Sequence, residues 1–314
     1  MSKYVILTDN CVDLDAEQRK QFGIEYPIPG YVTFPNGESK KADVDWEEMS
    51  FDEFFHSMEK KTVYKSAMPN PFDVSTRVEE YFKQGIDVLA ITLSSGMSGT
   101  YNVFLIVQKE LAEKYPERKL LVTDSKRYSG GIALLAISAA KNRDAGMSIE
   151  ENHAWVEENK LGLHQMGVLD DLAYLARSGR ITKFKAFMGR MVGVKPMADF
   201  ENETGYPVVL GNSRGYKNAW KSIVKYMQAT IGDAKDKTIV ISQSIREKQA
   251  EELKKEIEEA FADQNITIIM NKVGQSDGTN IGPGLISAFY FGNKTSVGCE
   301  QERVILTDII AGNK

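Results

Sequence analysis

Val88-Leu89-Ala90-Ile91-Thr92-Leu93, followed by Ser94-Ser95-Gly96-Met97-Ser98-Gly99-Thr100-Tyr101-Asn102, reads as strand, tight loop and helix. The opening run is apolar on both faces and β-branched at Val88, Ile91 and Thr92, which suits a strand buried in a parallel sheet. Two glycines let the backbone turn sharply, and Ser98 or Thr100 is placed to cap a helix running through Leu105 and Val107 toward Leu111. A helix start offers amide donors and a partial positive charge, so a loop with added hydroxyls can seat a small anion. The loop lacks the lysine of a phosphate-cradling G-x-x-x-x-G-K-S/T turn, and its glycines are not spaced as in G-x-G-x-x-G. Hydroxyls without a cation suit a carboxylate better than a polyphosphate. The same residues also serve as ordinary turn and cap residues of any βα unit.

Working outward, Tyr4-Val5-Ile6-Leu7 ends at Thr8-Asp9-Asn10-Cys11, and Leu120-Leu121-Val122 stops at Thr123-Asp124-Ser125. Three apolar strands thus end in small polar or acidic residues, and in a parallel α/β sheet those ends line the usual ligand crevice. Between them, Asp15 to Phe22 reads as a short helix. Ile24 to Phe34, broken by Pro27, Pro29 and Gly30, reads as an irregular or edge strand. Ser50-Phe51-Asp52-Glu53 is a capping box opening a helix whose Phe54, Phe55 and Met58 form an apolar face. Lys65 to Pro71 reads as a loop ending in an N-cap Asn70 with Pro71 at the first helical position. Ser66 would then lie one loop away from the Ser94 to Thr100 turn.

Further on, Gly130-Gly131 precedes an apolar helix, Ser148-Ile149-Glu150-Glu151 is another capping box, and Gly162 to Leu169 reads as a strand. Val194 to Met197 and Tyr206 to Leu210 form a hairpin-like pair, with a helix from Arg214 to Ile231. Thr238 to Ser242 and Ile266 to Met270 are strands flanking a helix from Glu247 to Phe261. Asp277 to Gly284 reads as a loop built for close backbone approach, leading into Leu285 to Phe291. Val304 to Asp308 echoes Val5 to Asp9 and reads as an extra strand. The predicted fold class is α/β with two domains: an N-terminal parallel-sheet, Rossmann-like domain over residues 1–163, and a C-terminal α/β domain with a mixed sheet over 164–314.

The 314 residues exceed what one hydrophobic core usually serves, which also favours two domains. A net charge of -5 argues against bulk nucleic-acid binding. No apolar run approaches the roughly 18 to 20 residues needed to span a bilayer, and Met1-Ser2-Lys3-Tyr4 is no signal peptide, so a cytoplasmic location is expected. Cys11 and Cys299 form no C-x-x-C pair, and His56, His153 and His164 lack metal-ligand spacing, so neither metal nor cofactor is expected. Arg177, Arg180, Lys183, Lys185, Arg190 and Lys195 form a local basic stretch without an acidic residue, interleaved with Phe184, Phe187, Met188, Met191 and Val192. It reads as a partner-docking patch, a transient contact with an anionic membrane, a lid over an apolar ligand, or an amphipathic helix with a solvated basic side.

Taken in order, several segments resemble the DegV family over the chain to about Gly292. They are Thr8-Asp9, the Ser66 to Pro71 loop, Leu93 to Thr100, Thr123-Asp124-Ser125, Leu175-Ala176-Arg177-Ser178-Gly179-Arg180-Ile181, Val194-Lys195-Pro196 and Ile281-Gly282-Pro283-Gly284. The resemblance implies a carrier that holds one long-chain fatty acid such as palmitate, stearate or oleate. Its carboxylate would sit near the domain junction and its tail inside one domain. A separate fatty acid kinase would phosphorylate the bound acid to an acyl phosphate for phospholipid synthesis, so the family member is not itself the catalyst.

By motif, the resemblance gives the carboxylate contacts to Ser98, with Ser95 close by, and to Ser66, where the family usually has threonine. Arg180, on the Gly-Arg-Ile segment, would serve the head-group surroundings or kinase docking. Asn280 stands where the family commonly has histidine before its Gly-Pro-Gly turn; its amide still donates a hydrogen bond to a carboxylate but shuttles no proton. Ala67-Met68 and Asn70 replace the usual Ser-Gln and Ser, and the tail after Gly292 exceeds the family pattern.

Burying a sixteen-carbon chain would give on the order of 10 kcal/mol before ordering costs, against roughly 1.5 to 3 kcal/mol for one hydrogen bond to a charged group. The competing reading is a serine-dependent lipid hydrolase or acyltransferase acting through Ser98, or a phosphotransferase of related architecture. Gly96-Met97-Ser98-Gly99 lacks the G-x-S-x-G spacing of a nucleophile elbow, and none of the loops contains a histidine base.

Overall fold

Asp87–Thr92 is buried at every position, and that burial puts it in the middle of a parallel sheet. The computed structural model describes residues 3–180 and 193–313. The chain opens with β1 (Tyr4–Thr8), α1 (Ala16–Phe22), β2 (Tyr31–Thr33), β3 (Ser39–Lys41), α2 (Phe51–Glu59), β4 (Lys65–Ala67) and α3 (Pro71–Phe82). It continues through β5 (Asp87–Thr92), α4 (Thr100–Lys114), β6 (Leu120–Asp124), α5 (Gly130–Asp144) and α6 (Ile149–Asn159). Next come β7 (Leu163–Val168), α7 (Ala173–Arg177), β8 (Val194–Phe200), β9 (Pro207–Arg214) and α8 (Gly215–Thr230). The last elements are β10 (Thr238–Gln243), α9 (Glu247–Ala260), β11 (Thr267–Lys272), α10 (Gln275–Ile281), β12 (Ile286–Phe291) and α11 (Glu300–Ala311).

The fold is α/β, as expected. β1, β5 and β6 pair in parallel, and β11-β10-β12-β7-β8-β9 form a mixed sheet. α5 is buried nearly all round because it lies between the two sheets, touching β1 and β5 on one side and β10 and β12 on the other. One apolar cluster fills the space between the parallel sheet and α3 and α4; another packs α8, α9 and α11 on the mixed sheet. Fully buried Arg127 ties the loop after β6 to the mixed sheet: its Nε donates to the Leu163 carbonyl at 2.7 Å and Nη2 to Asn202 Oδ1 at 2.8 Å.

Several expectations need correction. The Asp277 to Gly284 stretch is not all loop: its first part belongs to α10, which is stabilised by packing on β4, α7 and α2 rather than by helix propensity. Val304 to Asp308 is not a strand but part of α11, whose Leu306 and Ile309 share the face laid on α8 and β9. Ser66 lies on a strand, where it pairs with Val32 in a small antiparallel sheet of order β3-β2-β4. At Ser50 one half of the capping box forms, Ser50 Oγ accepting from the Glu53 amide, whereas both halves form at Ser148.

Candidate functional site

Sheet order places the crevice. Residues 24 to 28 bridge to the outer side of β1 in parallel, at Ile6 with Ile24 and Asp9 with Ile28, while β5 pairs on the inner side. The chain therefore leaves β1 in one direction and β5 in the other, which separates the loops that follow them and opens a crevice at their carboxyl ends. Asp9, 1% exposed, braces both loops: Oδ2 accepts from the Leu93 amide at 2.6 Å and Oδ1 from the Cys11 amide at 2.9 Å.

A cavity of about 280 Å³ occupies this crevice. Its lining combines Asn10 and Cys11 from the first loop, Met97, Ser98 and Thr100 from the second, Ser66 and Met68 from β4 and its exit, and Ser276, Asp277 and Asn280 from α10. Ser98 Oγ sits 2.9 Å from Thr100 Oγ1 and accepts from the Thr100 amide at 3.3 Å. Neither hydroxyl caps α4 in the expected way: the N-cap is Gly99, which has no side chain to offer. On the other wall, Asn280 Nδ2 donates to Ser66 Oγ at 2.8 Å and to the Ser276 carbonyl at 3.2 Å. Arg180 closes the rim, Nε donating to the Met97 carbonyl at 3.3 Å.

Ser66, Ser98, Asn280 and Arg180 thus meet around one space. Ser95 does not join them. Its amide donates to Asp124 Oδ1 at 3.0 Å and its hydroxyl accepts from Lys126 Nζ at 3.2 Å, so it braces the loop away from the cavity. Burial pushes the Asp124 carboxyl upward, but hydrogen bonds from Ser95 and Lys126 prevail and hold it below the usual range. Gly96 permits the turn of the β8 to β9 hairpin to lie on this loop, since a Cβ there would stand 2.2 Å from the Thr204 carbonyl oxygen.

The α10 residues Ser276 and Asp277 carried no functional assignment from the sequence. Ser276 Oγ and Asp277 Oδ2 are buried, and neither has a hydrogen-bond partner among the described residues. Burial, with the Asp9 carboxylate adding to it, pushes the Asp277 carboxyl up to about 7, while the Cys11 thiol pulls the other way. Burial and the neighbouring Asp277 raise both the Asp13 carboxyl and the Cys11 thiol well above their ordinary values, so Cys11 is held as a neutral thiol rather than a nucleophile.

An apolar lobe of about 40 Å³ lies next to it, with Met97, Tyr128 and Ile281 belonging to both linings. Alternation along β7 builds its floor: Gln165, Gly167 and Leu169 line the lobe, whereas Met166 and Val168 point to the opposite core. Gly167 pairs in register with Ala198 on β8, so two adjacent positions of the floor carry almost no side chain. Leu175, Phe200 and Leu285 enclose the rest. Gly284, with φ of +98°, lets the Gly-Pro-Gly turn press on the end of β7, where a Cβ would meet Asp170. Asp170 in turn holds Arg246 Nε at 2.9 Å and also pairs with Lys195.

Of the basic stretch, Arg177 lies over the Tyr174 ring, Arg180 lines the cavity and Lys195 pairs with Asp170. Lys183, Lys185 and Arg190, with Phe184, Phe187, Met188, Met191 and Val192, lie outside the described residues. His56 pairs with Glu59 on the surface, His153 reaches the Val122 carbonyl, and His164 is buried against Asp199, so no histidine lines the cavity among the described residues. Among the described residues no group of three or more His, Cys, Asp and Glu side chains is arranged to hold a metal ion, and no helix is long and apolar enough to cross a membrane.

Comparison with known proteins identifies the family and the fold. A family model described as an uncharacterised protein of the DegV family matches residues 3–293. A DegV domain-containing protein of Clostridium perfringens is 31% identical over 293 residues, covering 93% of this chain and 99% of the relative. Among solved structures, the fatty-acid-binding DegV family protein of Thermus thermophilus superposes with a TM-score of 0.81 at 23% identity, over 92% of this chain and 99% of that one. The Streptococcus pneumoniae fatty acid kinase B3 protein, loaded with linoleic acid, has a TM-score of 0.78 at 20% identity, over 93% of this chain and 100% of that one. At these identities the structural likeness establishes the fold.

Proposed function

We propose that this chain, which belongs to the DegV family, is a cytoplasmic carrier that binds one long-chain fatty acid such as palmitate, stearate or oleate. One observation carries the reading: a polar cavity lined by Ser66, Ser98, Asn280 and Arg180 adjoins an apolar lobe across Met97, Tyr128 and Ile281, which line both. The carboxylate takes the hydroxyls of Ser66 and Ser98, the Asn280 amide and the Arg180 rim, between domains of residues 1–163 and 164–314. The tail lies over Gly167 and Ala198. It enters by displacing Leu175 and Met97, the latter unbranched and adaptable. Affinity comes from the tail, at about 0.8 kcal/mol per buried methylene, and orientation from the head-group hydrogen bonds.

The carrier presents its acid to a separate fatty acid kinase, as the name of the Streptococcus pneumoniae relative suggests. Ser98 has Thr100 beside it rather than a histidine base, which supports a binding role over that of a hydrolytic nucleophile. The test is mass spectrometry of a solvent extract of the protein purified from a bacterial host, together with thermal unfolding in the presence of oleate. A long-chain acid in the extract and a raised Tm are expected; an empty extract with no shift by oleate or palmitate would sink the reading.

A further inference from the structure

Gln165 is a polar group of the lobe that carboxylate and tail leave unused. It is 2% exposed, and neither Oε1 nor Nε2 has a hydrogen-bond partner among the described residues. Its backbone is well satisfied, the amide donating to Asp199 Oδ1 at 2.9 Å and the carbonyl accepting from Ser287 Oγ at 3.3 Å. Only the side-chain amide is orphaned. It stands on the β7 face that lines the apolar lobe, beside Gly167, Ala198 and Phe200. An amide without partners in an apolar lobe destabilises the fold, since it has given up water and gained nothing. Leucine or methionine would fill the position without that penalty.

A primary amide offers an acceptor at Oε1 and two donors at Nε2. A saturated tail can use neither, a cis double bond offers no strong partner, and a keto oxygen could only accept. A hydroxyl both donates to Oε1 and accepts from Nε2, and the lobe floor beside Gln165 carries the small Ala198, Gly167 next to it being covered by the Ser287 side chain. We infer that Gln165 forms a polar subsite inside the acyl lobe and that the preferred ligand class is a mid-chain monohydroxy fatty acid. This inference rests on the fatty-acid reading above and specifies the substrate class of that site.

The experiment is calorimetric titration of the full chain with stearate and with a set of monohydroxystearates whose hydroxyl occupies successive mid-chain carbons. It is repeated on Gln165→Leu and Gln165→Met. For the wild type, at least one hydroxystearate should bind about tenfold tighter than stearate, the equivalent of about 1.4 kcal/mol. Both variants should reverse that order, with Tm equal to or above the wild type because the orphaned amide is gone. A wild-type ratio of one or less at every hydroxyl position overturns the inference whatever the variants do, the amide then being served by water. A preference that survives Gln165→Leu overturns it as well. Failure of stearate and every hydroxystearate to bind the wild type would overturn the carrier reading and this inference together, whereas tight stearate binding without preference overturns this inference alone.

Discussion

The mouth and the lobe of the cavity are built by opposite means. At the mouth, side chains from the loops after β1 and β5, from β4 and from α10 converge, and several are already held by neighbours, Asn280 on Ser66 and Ser98 on Thr100. In the lobe one strand pair supplies the floor, where Gly167 faces Ala198 across the ladder and makes room for the Ser287 side chain, and Met97, Leu175, Phe200 and Leu285 enclose the rest. A polar site is specified by which donors and acceptors converge; an apolar path is specified by side chains that offer none. Substitutions should therefore act on the two regions differently, one through hydrogen bonding to the acid and the other through exclusion of the tail.

The largest effect is expected from Ala198→Phe, which fills the lobe. If about four methylenes are kept out at about 0.8 kcal/mol each, oleate affinity falls on the order of 100-fold while the folded circular dichroism spectrum is retained. Unchanged affinity would mean that the tail takes another route. At the mouth, Ser98→Ala and Asn280→Ala each remove one hydrogen bond to a charged group and should weaken oleate binding roughly ten- to 100-fold, read by calorimetry. The methyl ester of oleate should lose far less; an equal loss for acid and ester would assign both residues a structural role.

A subtler separation comes from pH. Asp277 is pushed up to about 7 and faces the mouth, with Asp9, Asp13 and the Cys11 thiol behind it and Arg180 across the rim. It is neutral below that value and becomes a second negative charge beside the ligand carboxylate above it. Oleate affinity should fall between about pH 6 and about pH 8, and Asp277→Asn should remove the dependence without touching the lobe. Stability follows the same sign. The folded-state value lies above the ordinary carboxylate value of 3.8, so the native state holds more protons in between, and stability is lost as pH rises from there through about 7. Asp277→Asn should then have a higher Tm than the wild type at about pH 8. The smallest effect is expected from Ser95→Ala, less than about twofold on oleate affinity, with a small drop in Tm from the lost Lys126 contact. A large affinity loss at Ser95 would return it to the head-group set.

How much of this was legible in the sequence differs from element to element for physical reasons. The ends of β1, β5 and β6 were readable because an apolar run stops at polar residues, and α3 because Asn70 and Pro71 mark a helix start locally. α10 was not readable: Gly278, Asn280 and Gly282 look like a loop, and the segment is helical because Gly278 lets it approach the Phe55 ring, where a Cβ would stand at 2.7 Å. The sheet of β2, β3 and β4 has strands of three residues and mostly incomplete burial, too little for a period to show. In the site, the DegV resemblance pointed to Ser66, Ser95 and Ser98, and sequence alone could not show that Ser98 lines the cavity while Ser95 turns to Asp124, because both occupy the same turn. The glycine inside the apolar strand that ends at Val168 marks close approach, here of the Ser287 side chain, and gave no sign of the lobe.

The strands and helices other than β2 to β4, α10 and α11, the places where buried runs give way to polar ends, and the capped starts of α3 and α6 were determined by the sequence alone, because alternation and capping depend on neighbours within a few residues. Tertiary structure alone decided which strand ends share a crevice, that Ser98 faces it while Ser95 turns to Asp124, and that Gly167 lies opposite Ala198. Those outcomes depend on sheet order and register, which are set by contacts between segments far apart in the chain.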